Sequence, residues 1–175
     1  MPTAEDIELV ELDGVSLQDW VRLTGRDRGA FGAGVAELAW RPKDRHVGAI
    51  VAGELVAVGG VAVAPVEIAG HGTREVVGVG GVVVAPAWRR RGVGLAVMDA
   101  VGALADTAGP DWAMIFCREE LVGLYERRRY HRIADPVWVD QPEERIVMPL
   151  PAMWRPVRPG ATWPRGRVDL RGLPF

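Results

Sequence analysis

The chain has 175 residues, 49% of them hydrophobic, with 21 basic against 23 acidic residues and a formal net charge of −2. This is enough for one ordinary domain, residues 1–175, with a sizeable core, and the charge balance with a pI near 5.9 removes the usual electrostatic case for a nucleic-acid or membrane-surface binder. The single cysteine excludes an internal disulfide, and the acidic start Met1-Pro2-Thr3-Ala4-Glu5-Asp6 has no leader-like pattern, so a cytoplasmic protein is expected.

Ile7 to Leu12 alternates apolar and charged residues, as a half-buried strand does, and Asp13-Gly14 ends it. Ser16 is placed to cap a helix carrying Leu17, Trp20, Val21 and Leu23. A second short helix is expected around Phe31 to Leu38, weakened by Gly29, Gly32 and Gly34. His46 to Ala52 and Leu55 to Val66 are separated by Gly53-Glu54, which predicts a hairpin. A turn at Ala69 to Gly72 leads to a strand from about Arg74 to Val84, completing three successive antiparallel strands. Gly78, Gly80 and Gly81 in this strand work against strand propensity, so a bulge or the close approach of another molecule is expected there.

Beyond Gly94, Leu95, Val97, Met98, Val101 and Leu104 recur near helical spacing until Gly109-Pro110 breaks the element. Trp112 to Cys117 reads as a strand, Leu121 to Arg128 as a short helix, and the stretches near Val137 to Val139 and Ile146 to Met148 as two further strands. The tail from Pro149 carries Pro151, Pro156, Pro159, Pro164 and Pro174 together with Trp154 and Trp163. It cannot form a regular helix, yet it has large rings to bury, so it is expected to wrap the domain. The longest apolar stretches, Leu55 to Val66 and Val76 to Trp88, are valine-rich and too short for a membrane helix.

The most informative segment runs from Val82 to Leu95. A β-branched run stops at Pro86, passes Arg89, Arg90 and Arg91, and enters a helix through Gly92-Val93-Gly94. A helix start offers unpaired N–H groups and a partial positive charge, and glycines let a phosphate approach the backbone. No lysine and hydroxyl follow the glycines, which disfavours a magnesium-nucleotide loop, and the preceding meander disfavours a dinucleotide fold. A pyrophosphate held without magnesium fits better.

The segment Arg89-Arg90-Arg91-Gly92-Val93-Gly94, preceded by Val82-Val83-Val84-Ala85-Pro86, resembles the central signature of the GNAT acetyltransferases, Gln/Arg-x-x-Gly-x-Gly/Ala. Leu124-Tyr125-Glu126-Arg127-Arg128-Arg129-Tyr130 resembles that family's second segment, with Arg129 where glycine is usual. The resemblance implies an α+β fold with a mixed, mostly antiparallel sheet of six to seven strands and about four helices. It also implies acetyl-CoA as cosubstrate, with Val82, Val83 and Val84 bonding the pantetheine arm and Arg89, Arg90, Arg91, Gly92, Val93 and Gly94 holding the pyrophosphate. Tyr125 is then the general acid, because a phenol can return a proton to a departing thiolate.

The run Gly81-Val82-Val83-Val84, Trp88-Arg89, Leu124-Tyr125 and the tryptophan-rich tail are further similar to aminoglycoside 2′-N-acetyltransferases, including enzymes that act on kasugamycin. The acceptor so implied is a small cationic amine, and the role antibiotic resistance. Those enzymes place a glutamate just before the Gly-Val-x-Val run, where this chain has Gly80. Glu37, Asp140, Glu143, Glu144 and the carboxylate of Phe175 are the candidates to replace that base or to attract the cation. Other primary amines, and a non-catalytic acyl-CoA-binding or antibiotic-sequestering module, remain alternatives. His46, His71 and His131 are too scattered for a metal motif, so no metal is expected, and Cys117 reads as a buried apolar group. A homodimer is compatible with exposed strands and the aromatic tail.

Overall fold

The computed structural model describes residues 7–25 and 37–175. The second helix expected around Phe31 to Leu38 falls mainly outside the described residues; Glu37 and Leu38 lie in a turn and a bend. Two compact units are present, and the long strands β3 (Glu54–Ile68) and β4 (Gly72–Val84) contribute to both.

The first unit contains the chain up to Leu38, Lys43–Val61 and Gly81–Leu104. Strand β1 (Glu8–Leu12) pairs antiparallel with β2 (Arg45–Val51), and β2 pairs antiparallel with β3. The β2–β3 turn is Ala52-Gly53, with φ of 50° and 82°, one residue earlier than the expected Gly53-Glu54. Two central residues at positive φ match the right-handed strand twist, and Glu54 is left to pair with Val51. Helix α1 (Leu17–Thr24) starts as expected: the Ser16 hydroxyl oxygen accepts from the Asp19 N–H at 3.0 Å. Fully buried Leu23 packs on Val58 and Val83, with Leu12, Trp20 and Leu55 around them. Gly59, next to Val58 on β3, faces the opposite side. A Cβ there would stand 3.0–3.1 Å from Val82, Val97 and Val101, so helix α2 (Val93–Asp106) packs closely because Gly59 has no side chain.

The second unit contains Ala39–Pro42, Ala62–Gly80 and Ala105–Phe175. Its strand order is β6-β9-β5-β4-β3-β10-β7-β8, with β5 Trp112–Phe116, β6 His131–Arg132, β7 Val137–Asp140, β8 Arg145–Val147, β9 Ala152–Pro156 and β10 Val168–Leu170. Strand β4 pairs with β5 in parallel through Val77↔Ala113, Gly78↔Met114 and Val79↔Ile115. The tail is more regular than its prolines suggest. Strand β9 runs antiparallel to β5, and β10 lies between β3 and β7. Arg155 of β9 is buried, ion-paired with Asp106 at 2.7 Å and set over the Tyr130 ring at 5.6 Å.

The fold is α+β, with ten strands and three α-helices among the described residues against the expected six to seven and about four. The unexpected strands are β6 and β10, with two and three residues and so too few to show a period, and β9, which lies in the proline-rich tail; Pro86–Trp88 and Glu119–Leu121 form 3-10 turns. Among the described residues, no helix is long and apolar enough to cross a membrane.

Candidate active site

In the first unit, the end of β4 and the start of α2 are joined by a short, structured connection. Gly81 has a φ of 63°, outside strand geometry, which accounts for one of the glycines that the sequence marked as a bulge or close-approach site. Val83 then points into the α1 core, while Val82 faces Gly59 on the α2 side. The Ala85 N–H donates to the Val56 carbonyl at 2.9 Å, and Pro86–Trp88 turns the chain with the Trp88 N–H bonded to the Ala85 carbonyl at 2.8 Å.

Arg89, Arg90, Arg91 and Gly92 are all exposed. The Arg89 Nε donates to the Val84 carbonyl at 3.1 Å, Arg90 sits at φ 62°, and the Arg91 guanidinium lies 5.3 Å from the centre of the Trp88 ring. Among the described residues no carboxylate is ion-paired with any of the three. Gly92 has a φ of 81°, and a Cβ placed on it would meet nothing within 4 Å. The N–H of Ala96 bonds the Gly92 carbonyl at 3.1 Å, so Gly92 caps α2, and the amides of Val93, Gly94 and Leu95 precede the first helical hydrogen bond. Gly94 lies against Val84, where a Cβ would stand 3.2 Å from the valine methyl. The connection therefore combines open backbone, a helix-start dipole and three cations, which suits a pyrophosphate.

In the second unit, Tyr125 lies in α3 (Val122–Glu126) and is 7% exposed. The helix ends in a reversed pair of hydrogen bonds: the Tyr130 N–H to the Tyr125 carbonyl at 3.1 Å, and the Arg129 N–H to the Glu126 carbonyl at 2.9 Å. This closure needs a left-handed residue between them, and Arg129 supplies it at φ 65°. The departure from glycine thus keeps the backbone shape. The Tyr125 and Tyr130 rings meet edge to face at 5.5 Å across the turn, which fixes the orientation of Tyr125. Burial, reinforced by the neighbouring Cys117 and Tyr130, pushes the Tyr125 phenol well above its ordinary range. Burial likewise pushes the Cys117 thiol up to about 11, and that thiol sits 3.7 Å from the Met153 sulfur, as a packed apolar group would.

The acceptor candidates are dispersed. Glu37 is exposed in its turn. Asp140 ends β7, half-buried and 3.4 Å from Arg145, while Glu143 and Glu144 are exposed in the β7–β8 turn, closed by the Gln141 N–H to the Glu144 carbonyl at 2.8 Å. The Phe175 ring is 2% exposed and stacks on Phe116 at 5.2 Å. It covers Gly78, where a Cβ would come 2.1 Å from the ring, so the molecule that approaches this glycine is the chain's own tail. Two charged groups escaped the sequence reading. Asp169 is buried in β10 between Arg145 at 3.0 Å and Arg167 at 3.1 Å. Lys43 lies along Gly60 and Gly81 in the first unit; its signal was its rarity, since it is the single lysine among 21 basic residues.

Residues 16–130 match the acetyltransferase (GNAT) family. No curated protein matches the sequence. Among solved structures, the chain is similar to the GNAT family N-acetyltransferase YhbS from Escherichia coli in complex with CoA, with 14% identity, a TM-score of 0.60, and coverage of 95% of this chain and 90% of that one. It is also similar to a putative N-acetyltransferase from Lactobacillus plantarum, with 16% identity, a TM-score of 0.57, and coverage of 87% and 99%. A GCN5-related N-acetyltransferase from Kribbella flavida shows 23% identity and a TM-score of 0.53 over 72% of this chain, which spans about a third (34%) of that protein. With the family matched across most of its length and the same fold in these structures, the chain belongs to the acetyltransferase (GNAT) family.

Proposed function

We propose that the chain transfers the acetyl group of acetyl-CoA to the primary amine of a small cationic acceptor, with the 2′-amino group of an aminoglycoside, kasugamycin included, as the acceptor class and antibiotic inactivation as the outcome. The observation that carries the reading is the β4–α2 connection, with Gly92 at φ 81° and open, and Arg89, Arg90 and Arg91 exposed beside it. The amides of Val93, Gly94 and Leu95 and these guanidiniums hold the pyrophosphate, and Val82 to Val84 bond the pantetheine arm. Acetyl-CoA supplies an activated acyl carbon on a thiol leaving group. As the nitrogen–carbon bond forms and the carbon–sulfur bond breaks, Tyr125 gives its phenolic proton to the sulfur, and the amine's proton leaves through water. Burial keeps the phenol protonated at neutral pH, as a proton donor must be.

The cationic acceptor is carried by the resemblance to aminoglycoside 2′-N-acetyltransferases; Glu37, Glu143 and Glu144 are exposed but dispersed, and Asp140 is partly offset by Arg145. The test is acetyl-CoA consumption with tobramycin, kasugamycin and simple amines, alongside the effect of CoA on the melting temperature. Turnover of the aminoglycosides is expected. Turnover confined to non-sugar amines would remove the antibiotic while leaving acetyl transfer, and the absence of any CoA-dependent rise in melting temperature would overturn both.

A further inference from the structure

Residues two apart on a strand share a face, so Met153 and Arg155 present the same side of β9. Met153 is fully buried with its sulfur 3.7 Å from that of Cys117, and Arg155 is buried with its guanidinium 5.6 Å from the centre of the Tyr130 ring. Cys117 and Tyr130 are both neighbours of the Tyr125 phenol. Behind each of these neighbours there thus stands one residue of a single strand face. One of the two is apolar and the other is a cation.

The cation is held on several sides. Its Nη1 pairs with the carboxylate of Asp106, the last residue of α2, at 2.7 Å and donates to the Pro156 carbonyl at 3.3 Å, and the Tyr130 phenol is a further hydrogen-bond partner. Burial on its own weakens the guanidinium's hold on its proton, and the Tyr130 phenol and the Asp106 carboxylate outweigh it, so the side chain stays charged. The pair is one-sided, with the Arg155 side chain 10% exposed and that of Asp106 52%. Burying a charge in this way costs desolvation that an apolar side chain beside Met153 would not, and replacing such charges by apolar residues is often neutral or stabilising. Stability alone therefore does not account for an arginine here. What a guanidinium adds is direction, because its planar fork bonds in a fixed geometry.

Tyr130 is fastened at both ends. Its N–H donates to the Tyr125 carbonyl at 3.1 Å, and its phenol is bonded by Arg155. The ring between these anchors meets the Tyr125 ring at an interplanar angle of 78°. We propose that Arg155 is a positioning residue for acetyl transfer: by holding the Tyr130 phenol it sets the tilt of the Tyr130 ring, and that ring sets the direction in which Tyr125 presents its hydroxyl to the departing sulfur. The inference rests on the acetyl-transfer reading above, with Tyr125 as the proton donor. A donor must be aimed as well as protonated, since the proton moves only within hydrogen-bond reach, and a misplacement of about 1 Å costs on the order of 10²-fold in rate.

The test is the single-turnover rate of acetyl transfer from acetyl-CoA to tobramycin in Tyr130→Phe and Arg155→Met, each made alone and combined with Tyr125→Phe. Tyr130→Phe keeps the ring and removes the hydroxyl that Arg155 holds, and Arg155→Met removes the charge while keeping an unbranched stem. With Tyr125 present, the rate is expected to fall by about 5- to 100-fold in both variants; in the Tyr125→Phe background it should change by less than about twofold, because no proton is left to aim. The rise in melting temperature with CoA stays unchanged throughout. A merely structural role would multiply the rate by the same factor in both backgrounds. That result, or rates within about twofold of wild type with Tyr125 present, overturns the role of Arg155 while leaving acetyl transfer intact. If Arg155→Met does not fold, Tyr130→Phe decides alone by the same criterion. If the wild type does not acetylate tobramycin, the aminoglycoside reading falls, and the same rates with tryptamine decide on Arg155. Turnover of neither amine, or an unchanged rate in Tyr125→Phe alone, overturns both the proton donor and its positioning.

Discussion

Replacing Gly78 by alanine tests how the tail is fastened to the sheet. The new Cβ would fall 2.1, 2.2 and 2.4 Å from Cγ, Cδ1 and Cδ2 of Phe175, far inside contact distance and against a stiff ring, so the ring must leave its place. That ring is 2% exposed and stacked on Phe116 with an interplanar angle of 26°. Ejecting it forfeits what a buried Phe→Ala change loses, about 3–5 kcal/mol, part of which is an aromatic pair worth ~0.5–1.5 kcal/mol. For a chain of this size each kcal/mol shifts the melting temperature by about 2–4 °C, so Gly78→Ala should melt roughly 6–20 °C lower. Urea unfolding followed by tryptophan fluorescence gives the free energies for a double-mutant cycle with Phe175→Ala. Because the added methyl then occupies space that the ring has vacated, the double variant should be no less stable than Phe175→Ala alone, with a coupling of at least about 2 kcal/mol. A loss below about 1 kcal/mol for Gly78→Ala, or additive losses in the double variant, would refute the ring-on-glycine contact.

Other consequences are equally direct. Tyr125→Phe should lower kcat by about 10²- to 10⁴-fold with the CoA-induced rise in melting temperature retained; a kcat within about twofold of wild type would remove Tyr125 as the proton donor. Arg129→Gly should stabilise the fold by up to about 1 kcal/mol, because the cost of a left-handed arginine exceeds the added freedom of glycine in the unfolded chain. Destabilisation on urea unfolding would contradict the left-handed helix end. Cys117 has its thiol raised to about 11 in the fold from an ordinary value of 9.0. The folded state therefore holds this proton more tightly, and the associated stability is complete below pH 9 and lost as pH rises through 11. Melting temperatures measured between pH 8 and 11 should fall more steeply for wild type than for Cys117→Ala, and parallel curves would show that the thiol is not buried as described.

What could be read from the sequence was local. Ser16 announced α1 because a hydroxyl before an apolar period satisfies an orphan amide, and the hairpin announced itself by spacing, although the turn settled on Ala52-Gly53. The arginine-glycine loop was readable because glycines at a helix start serve few other purposes. The tail was hidden by its prolines. Strand β9 begins just after Pro151 and ends at Pro156, and β10 contributes Val168–Leu170, whose partners on β3 and β7 are far away in the sequence. Gly78 was noticed, but the tail residue that fills its space stands 97 residues later, beyond any local pattern. Lys43 was missed for the same reason, since its meaning comes from Gly60 and Gly81 on two other strands.

Calorimetric titration of CoA into wild type and Gly92→Val tests most directly whether the β4–α2 connection holds the pyrophosphate of CoA. At φ 81° a β-branched residue is strained, and its side chain would occupy the space left open for the ligand. Binding to wild type should be unaffected by EDTA, and binding to Gly92→Val at least about 10-fold weaker, equivalent to about 1.4 kcal/mol. Equal affinity in the two proteins, or no binding to wild type, would contradict that placement of the pyrophosphate.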